Sequence, residues 1–188
     1  MKYQLINKHL ALMLLCNLFT ITIFSQKYYT KTGVTSFQAS VKTFEPVAAV
    51  NKSTTALLDT KTGAVASLLF IQSFKFKVAL MQEHFNENYM DADKFPKATF
   101  KGTLKNFNYN LLTSKPKVFY LSGDLTIKGK TKTIKTKVYL HKSNNKIIVD
   151  SSFDIKPADF GIEIPSVVRN KIAEKVTLKL YYELKAKK

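Results

Sequence analysis

The densest group of residues that could carry out proton or metal chemistry lies between Glu83 and Asp93. His84 sits between Glu83 and Glu87, with Asp91 and Asp93 just beyond. At helical spacing, His84 with Glu83 or Glu87 supplies too few ligands for zinc, which needs about three protein ligands converging. No H-E-x-x-H run is present. Asp91 and Asp93 could pair as acid and base, but Lys94 and Lys97 stand beside them and nothing in sight raises a carboxyl pKa. Pro96 follows, and Asp at a helix end or turn usually serves backbone hydrogen bonding. The other histidines, His9 and His141, are isolated, and Cys16 is the one thiol. The chain has no G-x-S-x-G, no G-x-G-x-x-G and no phosphate loop. The expectation is therefore no catalytic residue, no metal site and no required cofactor.

Residues 1–26 read as an address rather than structure. Lys2 and Lys8 form a basic start, Leu10 to Phe24 an uncharged apolar run, and Ser25-Gln26 a polar exit, which is the layout of a secretory signal peptide. The run is short for a spanning helix, which needs about 20 residues. Leu15 before Cys16 does not suit a lipid-attachment site. Removal of this leader would also remove Cys16 and His9, leaving a mature chain without thiols. The expected division is a signal peptide over 1–26 and one domain over 27–188, periplasmic or secreted.

Beyond residue 27 the dominant period is two. Phe119, Leu121, Gly123, Leu125 and Ile127 alternate mostly with polar residues, as do Val176, Leu178, Leu180 and Tyr182. Similar alternation runs through 98–105, 134–141 and 147–155. Successive strand side chains point to opposite faces, so each run is a strand with one wet and one dry face. Two earlier strands are expected over about 46–58 and 64–78, joined by a turn from Asp59 to Gly63. Lys128-Gly129-Lys130 and Asn144-Asn145 mark hairpins. About eight strands at this spacing suggest an all-β barrel or sandwich. One stretch, 77–94, breaks the pattern: Val78, Met81, Phe85 and Tyr89 form a helical stripe. A second helical turn is expected from Pro165 to Ile172.

Three blocks resemble the YceI-like family in order and spacing. They are MQEHFNENYMDADKFPKATFKG from Met81 to Gly102, GDLTIKGKTKTI from Gly123 to Ile134, and Phe153, Ile155 and Asp159 to Ile162 at the close. The resemblance covers about 34–186. It implies a lipocalin-like eight-stranded antiparallel barrel with one or two short helices, exported from a bacterial cell. It also implies no characteristic catalysis and, in some members, a long polyisoprenoid chain such as a quinone tail inside the barrel.

On that frame the apolar faces become a cavity lining. The expected contributors are Phe70, Phe74 and Phe76 before the helix, then Phe85 and Tyr89 within it. Phe100 and Leu104 follow, then Phe119, Leu121 and Leu125. Val138, Leu140, Phe153, Leu178 and Leu180 complete the set, with His84 near the mouth to meet a head group. Small residues at Ala98, Gly102 and Gly123 leave room among them. The alternatives are an enzyme with a barrel-mouth site around His84 and Asp91 or Asp93, and a filled-barrel envelope stress or adhesion protein.

The charge is strongly basic, with 30 Lys and Arg against 13 acids. Lys128, Lys130, Lys132, Lys135, Lys137 and Lys142 fall in one stretch without an acid. Such a stripe attracts anionic lipid surfaces through a sequence-independent field, or simply solvates the sheet. Nucleic acid is not expected, because Arg169 is the only arginine. The expected partners are a long-chain lipid or quinone and, transiently, an anionic membrane surface; a homodimer is left open.

Overall fold

The structure is a computed structural model that describes residues 27–40, 46–169 and 172–187. The leader, with His9 and Cys16, lies outside the described residues. Eight long strands carry the fold: β1 (Lys27–Ser40), β2 (Ala48–Asp59), β3 (Ala64–Phe70), β5 (Lys97–Leu104), β6 (Lys117–Ile127), β7 (Lys130–Ser143), β8 (Lys146–Ile155) and β9 (Ile172–Ala186). A two-residue β4 (Lys75–Phe76) adds to the edge of β2. Each long strand pairs antiparallel with the next, and β1 pairs with both β2 and β9. The sheet thus closes on itself as an eight-stranded antiparallel barrel, without an open edge among the long strands.

The turns follow from their residues. Lys128 and Gly129 have φ of 48° and 73°, and Asn144 and Asn145 have 45° and 61°. Left-handed geometry at both central positions suits the twist of tight hairpins, and Gly and Asn tolerate it best. In the turn after β2, Asp59 Oδ1 accepts the N–H groups of Lys61 and Thr62 at 2.9 and 3.1 Å.

Strand alternation is regular in the second half of the chain and broken in the first. On β6, Phe119, Leu121, Leu125 and Ile127 are buried, as the period of two requires. On β2 the buried residues run Ala49, Asn51, then Thr54, Ala56 and Leu58, so the face slips by one between Asn51 and Thr54. The register of β1 against β2 shifts at the same level, around Gly33. Such bulges add local twist and re-aim side chains.

Three elements differ from the sequence expectation. The strand expected over 64–78 ends at Phe70, because Ile71–Ser73 turns away in a single 3-10 turn. The helix expected over 77–94 is one short α-helix, α1 (Ala79–His84), followed by a π turn at Phe85–Tyr89. The stripe does its expected work over this shorter span, with Met81, Phe85 and Tyr89 facing inward. The second helical turn shrinks to Ser166–Val168, and Ile172 already belongs to β9.

The barrel has two unlike ends. At one, the β5–β6 connection folds across the opening: Leu112 is buried, Phe107 packs on Phe119 at 5.4 Å, and Tyr109 hydrogen-bonds Tyr28 at 2.8 Å. This end is plugged. At the other end lie α1, the π turn and the 156–169 connection.

Candidate functional site

Between the plug and the helical end runs a cavity of about 370 Å³, within the ordinary range for small-molecule sites. The inward faces of all eight long strands line it. Among the described residues no Lys, Arg, Asp or Glu contributes to the wall. The lining is apolar apart from a few hydroxyls and His84 at the edge.

Most of the expected lining residues come together here. Phe100, Leu104, Leu121, Leu125, Val138 and Leu140 line β5, β6 and β7, and Phe153, Leu178 and Leu180 continue the wall on β8 and β9. Phe74, Phe76, Phe85 and Tyr89 lie towards the helical end. Two do not belong. Phe70 is on the outer face, 47% exposed, under the Lys97 ammonium at 5.4 Å. It alternates with Leu69, which faces in. Phe119 is buried but serves the plug against Phe107 rather than the cavity.

The mouth is an aromatic cluster. Phe85 stacks on Phe37 at 5.3 Å and meets Phe76 at 5.1 Å and Phe74 at 5.7 Å. Phe37 comes from β1, and sequence reasoning passed it over although Thr35, Phe37 and Ala39 alternate in plain view. Phe85 and Tyr89, the first and last residues of the π turn, both reach the cavity. Its end is tied down where Lys128 Nζ donates to the Tyr89 carbonyl at 2.8 Å.

His84 is exposed and borders the cavity. Asp91 and Asp93 do not reach it. Asp93 instead accepts a hydrogen bond from Gln72 Nε2 at 3.0 Å, and Asp91 turns the chain at φ 48° while its carbonyl accepts from Phe95 N at 2.8 Å. The three groups therefore do not converge into one mouth site. Among the described residues no cluster of three or more His, Cys, Asp or Glu is placed to hold a metal ion.

Two glycines let the wall thin out. Gly102 and Gly123 face each other across β5 and β6, and the Phe100 ring lies over them. A Cβ on Gly102 would come within 2.6 Å of Phe100 Cζ, and one on Gly123 would strike Gly102 Cα and the Lys101 carbonyl. The bare backbone is what allows the ring to lie against the wall instead of across the cavity.

A polar group is built into the opposite wall. Tyr182 of β9 lies over Gly33 of β1, where a Cβ would stand 2.6 Å from its ring. Its hydroxyl is 3.0 Å from Thr35 Oγ1, which is 2.9 Å from Thr54 Oγ1. Burial pushes the Tyr182 phenol up to about 12, so it keeps its proton; the Thr35 and Ser67 hydroxyls beside it only partly offset this.

The comparisons with known proteins agree with this geometry. A polyisoprenoid-binding domain from Saccharophagus degradans, implicated in plant cell wall breakdown, superposes with a TM-score of 0.73 at 16% identity, covering 86% of this chain and 99% of that one. BcnA of Burkholderia cenocepacia gives 0.66 at 19% identity, covering 80% and 95%. The YCEI protein of Campylobacter jejuni gives 0.63 at 18% identity, covering 77% and 88%. At these identities the likeness is one of fold. No curated protein matches in sequence. The YceI-like domain family matches residues 18–184. With that match spanning almost the whole chain, and with a closed eight-stranded barrel around an apolar cavity, the chain belongs to the YceI-like family.

Proposed function

We propose that this protein is an exported lipid-binding barrel that holds a long-chain amphiphile, a polyisoprenoid or isoprenoid quinone, for sequestration or transport. The observation that carries the reading is the cavity itself: it is continuous, apolar and free of charged lining among the described residues. The polyisoprenoid-binding description of the Saccharophagus degradans relative supports the same ligand class. Burying a chain there yields about 0.8 kcal/mol per CH₂, so affinity needs no charged contact. No bond-making step is part of the reading. Exchange would occur at the helical end, where Leu80 and Val167 are exposed beside Lys75, Lys77 and Arg169, against an anionic membrane surface.

The test is mass spectrometry of an organic extract from natively purified protein. A stoichiometric polyprenyl or quinone species is expected. A clean extract, still clean after incubation with such lipids, would count against the proposal and favour a filled-barrel role. Leu121→Asn places an amide on the cavity wall and should weaken lipid binding about tenfold or more, the equivalent of one large apolar contact. The same change at exposed Tyr120, on the outer face, should leave affinity as it was.

A further inference from the structure

The chain has no tryptophan, so its nine tyrosines are its most readily oxidised rings. The described residues hold no cysteine either, so oxidation has no disulfide to form among them. One tyrosine pair is set apart from the rest. Tyr28 stands at the start of β1, and Tyr109 lies in the β5–β6 connection that plugs the barrel. Their hydroxyl oxygens are 2.8 Å apart, a short O–H···O hydrogen bond. Their ring centroids are 5.9 Å apart, with the planes inclined at 37°. Two phenols meeting end to end in line would hold their centroids farther apart. The rings therefore lean together and bring the edges beside the hydroxyls close. Among the described residues no other two tyrosine rings are in contact.

Both rings are fixed from behind. The Lys142 ammonium sits 3.9 Å from the Tyr109 ring centroid, a cation–π contact. Lys142 N also donates to the Thr113 carbonyl at 2.7 Å, which ties the connection to β7. Asn108 Oδ1 accepts from Asn110 N at 2.9 Å and caps the turn that carries Tyr109. On the other side, the Lys27 carbonyl accepts from Lys187 N at 2.7 Å and pins the start of β1. Tyr28 and Tyr109 are half-buried, whereas Tyr120, Tyr139 and Tyr181 stand exposed on the outer face. Small solutes can reach the pair, and each ring has the other as its nearest phenol.

We propose that Tyr28 and Tyr109 form an oxidative modification site, at which a dityrosine bond joins the plug to β1. The co-reactant is hydrogen peroxide activated on a haem iron. Each phenol gives up one electron and its hydroxyl proton. The two radicals join through the ring carbons beside the hydroxyls. The hydrogen on each joined carbon then moves to its oxygen and restores two phenols. Peroxide takes up the two electrons and two protons and leaves as two waters. The product ties residues 81 apart in sequence across the closed end, so the β5–β6 connection cannot lift from the barrel.

The test exposes dilute purified protein to hydrogen peroxide and microperoxidase, a haem peptide small enough to reach the barrel end. Tryptic digestion and mass spectrometry should find the peptide carrying Tyr28 joined to the peptide carrying Tyr109, lighter by two hydrogen atoms. The protein that yields it should still run as a monomer. Tyr28→Phe and Tyr109→Phe should each abolish the joined peptide. Tyr29→Phe, one residue away on the outer face, should keep it. If either of the first two variants does not fold, fragmentation of the joined peptide from the native sequence decides between Tyr28 and Tyr29. Joined peptides confined to Tyr120, Tyr139 and Tyr181 overturn the proposal. So does the absence of any joined peptide while those exposed tyrosines are oxidised. The cross-linked monomer should also melt above the untreated protein, because a tie across 81 residues narrows the unfolded chain. A midpoint no higher would overturn the bracing of the plug.

Discussion

Asn51 is fully buried on β2, yet none of its polar atoms is idle. Its Nδ2 donates to the Phe70 carbonyl at 3.0 Å, and its Oδ1 accepts from Ser53 N and Ser53 Oγ at 2.8 and 3.1 Å. The side chain stands in for backbone pairing where β2 parts from β3 and its inward face slips by one residue. Asn51→Ala would leave the Phe70 carbonyl and the Ser53 N–H without these partners and a gap where the amide stood, at about 1–3 kcal/mol. For a domain of this size that is a fall of roughly 3–10 °C in melting temperature, read by calorimetry. The tyrosines give a second signature. Tyr182 and Tyr28 are both pushed up to about 12, in each case chiefly by burial. A phenol whose folded pKa is raised adds no pH dependence below its unfolded value of about 10, and its stabilisation is lost as pH climbs from there to the folded value. The urea midpoint should therefore fall between about pH 10 and 12 from these two groups, and Tyr182→Phe should flatten that fall. A midpoint that drops just as steeply in the variant would contradict the assignment.

Among the elements, the thin wall where β5 meets β6 makes the sharpest demand on sequence. Gly102 and Gly123 are opposed residues, and the Phe100 ring covers both. Gly123→Ala forces either the strands apart or the ring into the cavity. Overpacking of this kind costs about 1–3 kcal/mol. It should also reduce lipid capacity, so loss of stability and loss of binding are expected together, whereas Asn51→Ala should affect stability alone. These two sites show what the sequence could and could not disclose. β6, β7 and β9 keep strict alternation, so Leu121, Leu125, Val138 and Leu180 could be assigned to the cavity by counting in twos. The bulged β1–β2 pair defeats counting, because Thr35 and Thr54 share a face across a register shift. Phe70 was misplaced for a related reason: Leu68-Leu69-Phe70-Ile71 is apolar throughout and carries no phase. The hydroxyl group was invisible for another reason, since Tyr182 and Thr35 lie 147 residues apart and only barrel closure joins them.

At the scale of the molecule, charge and shape divide the surface. Lys135 and Lys137 are exposed on the outer face of β7, and Lys130 and Lys132 are exposed at its helical-end start, while the cavity wall carries no charge among the described residues. Among the described residues no helix is long and apolar enough to cross a membrane. Contact with a bilayer would rest instead on the lysines and on the exposed Leu80 and Val167. The protein should co-sediment with phosphatidylglycerol vesicles and not with phosphatidylcholine vesicles. Raising salt from about 0.1 M to about 1 M shortens screening from about 10 Å to about 3 Å and should release it. Retention at high salt, or equal binding to both vesicles, would remove the electrostatic part of the proposal.

The closure of the ring by β1 and β9 also governs when the barrel can come into being. Any chain that emerges in sequence order presents β1 first and β9 last, so β1 stays without that partner until β2 to β8 have all appeared. Throughout that interval the growing sheet has two open edges and a bare apolar face, the conditions under which chains pair with one another instead of with themselves. A chain ending before Ile172 should therefore be the aggregation-prone species, because β1 and β8 are then left as open edges.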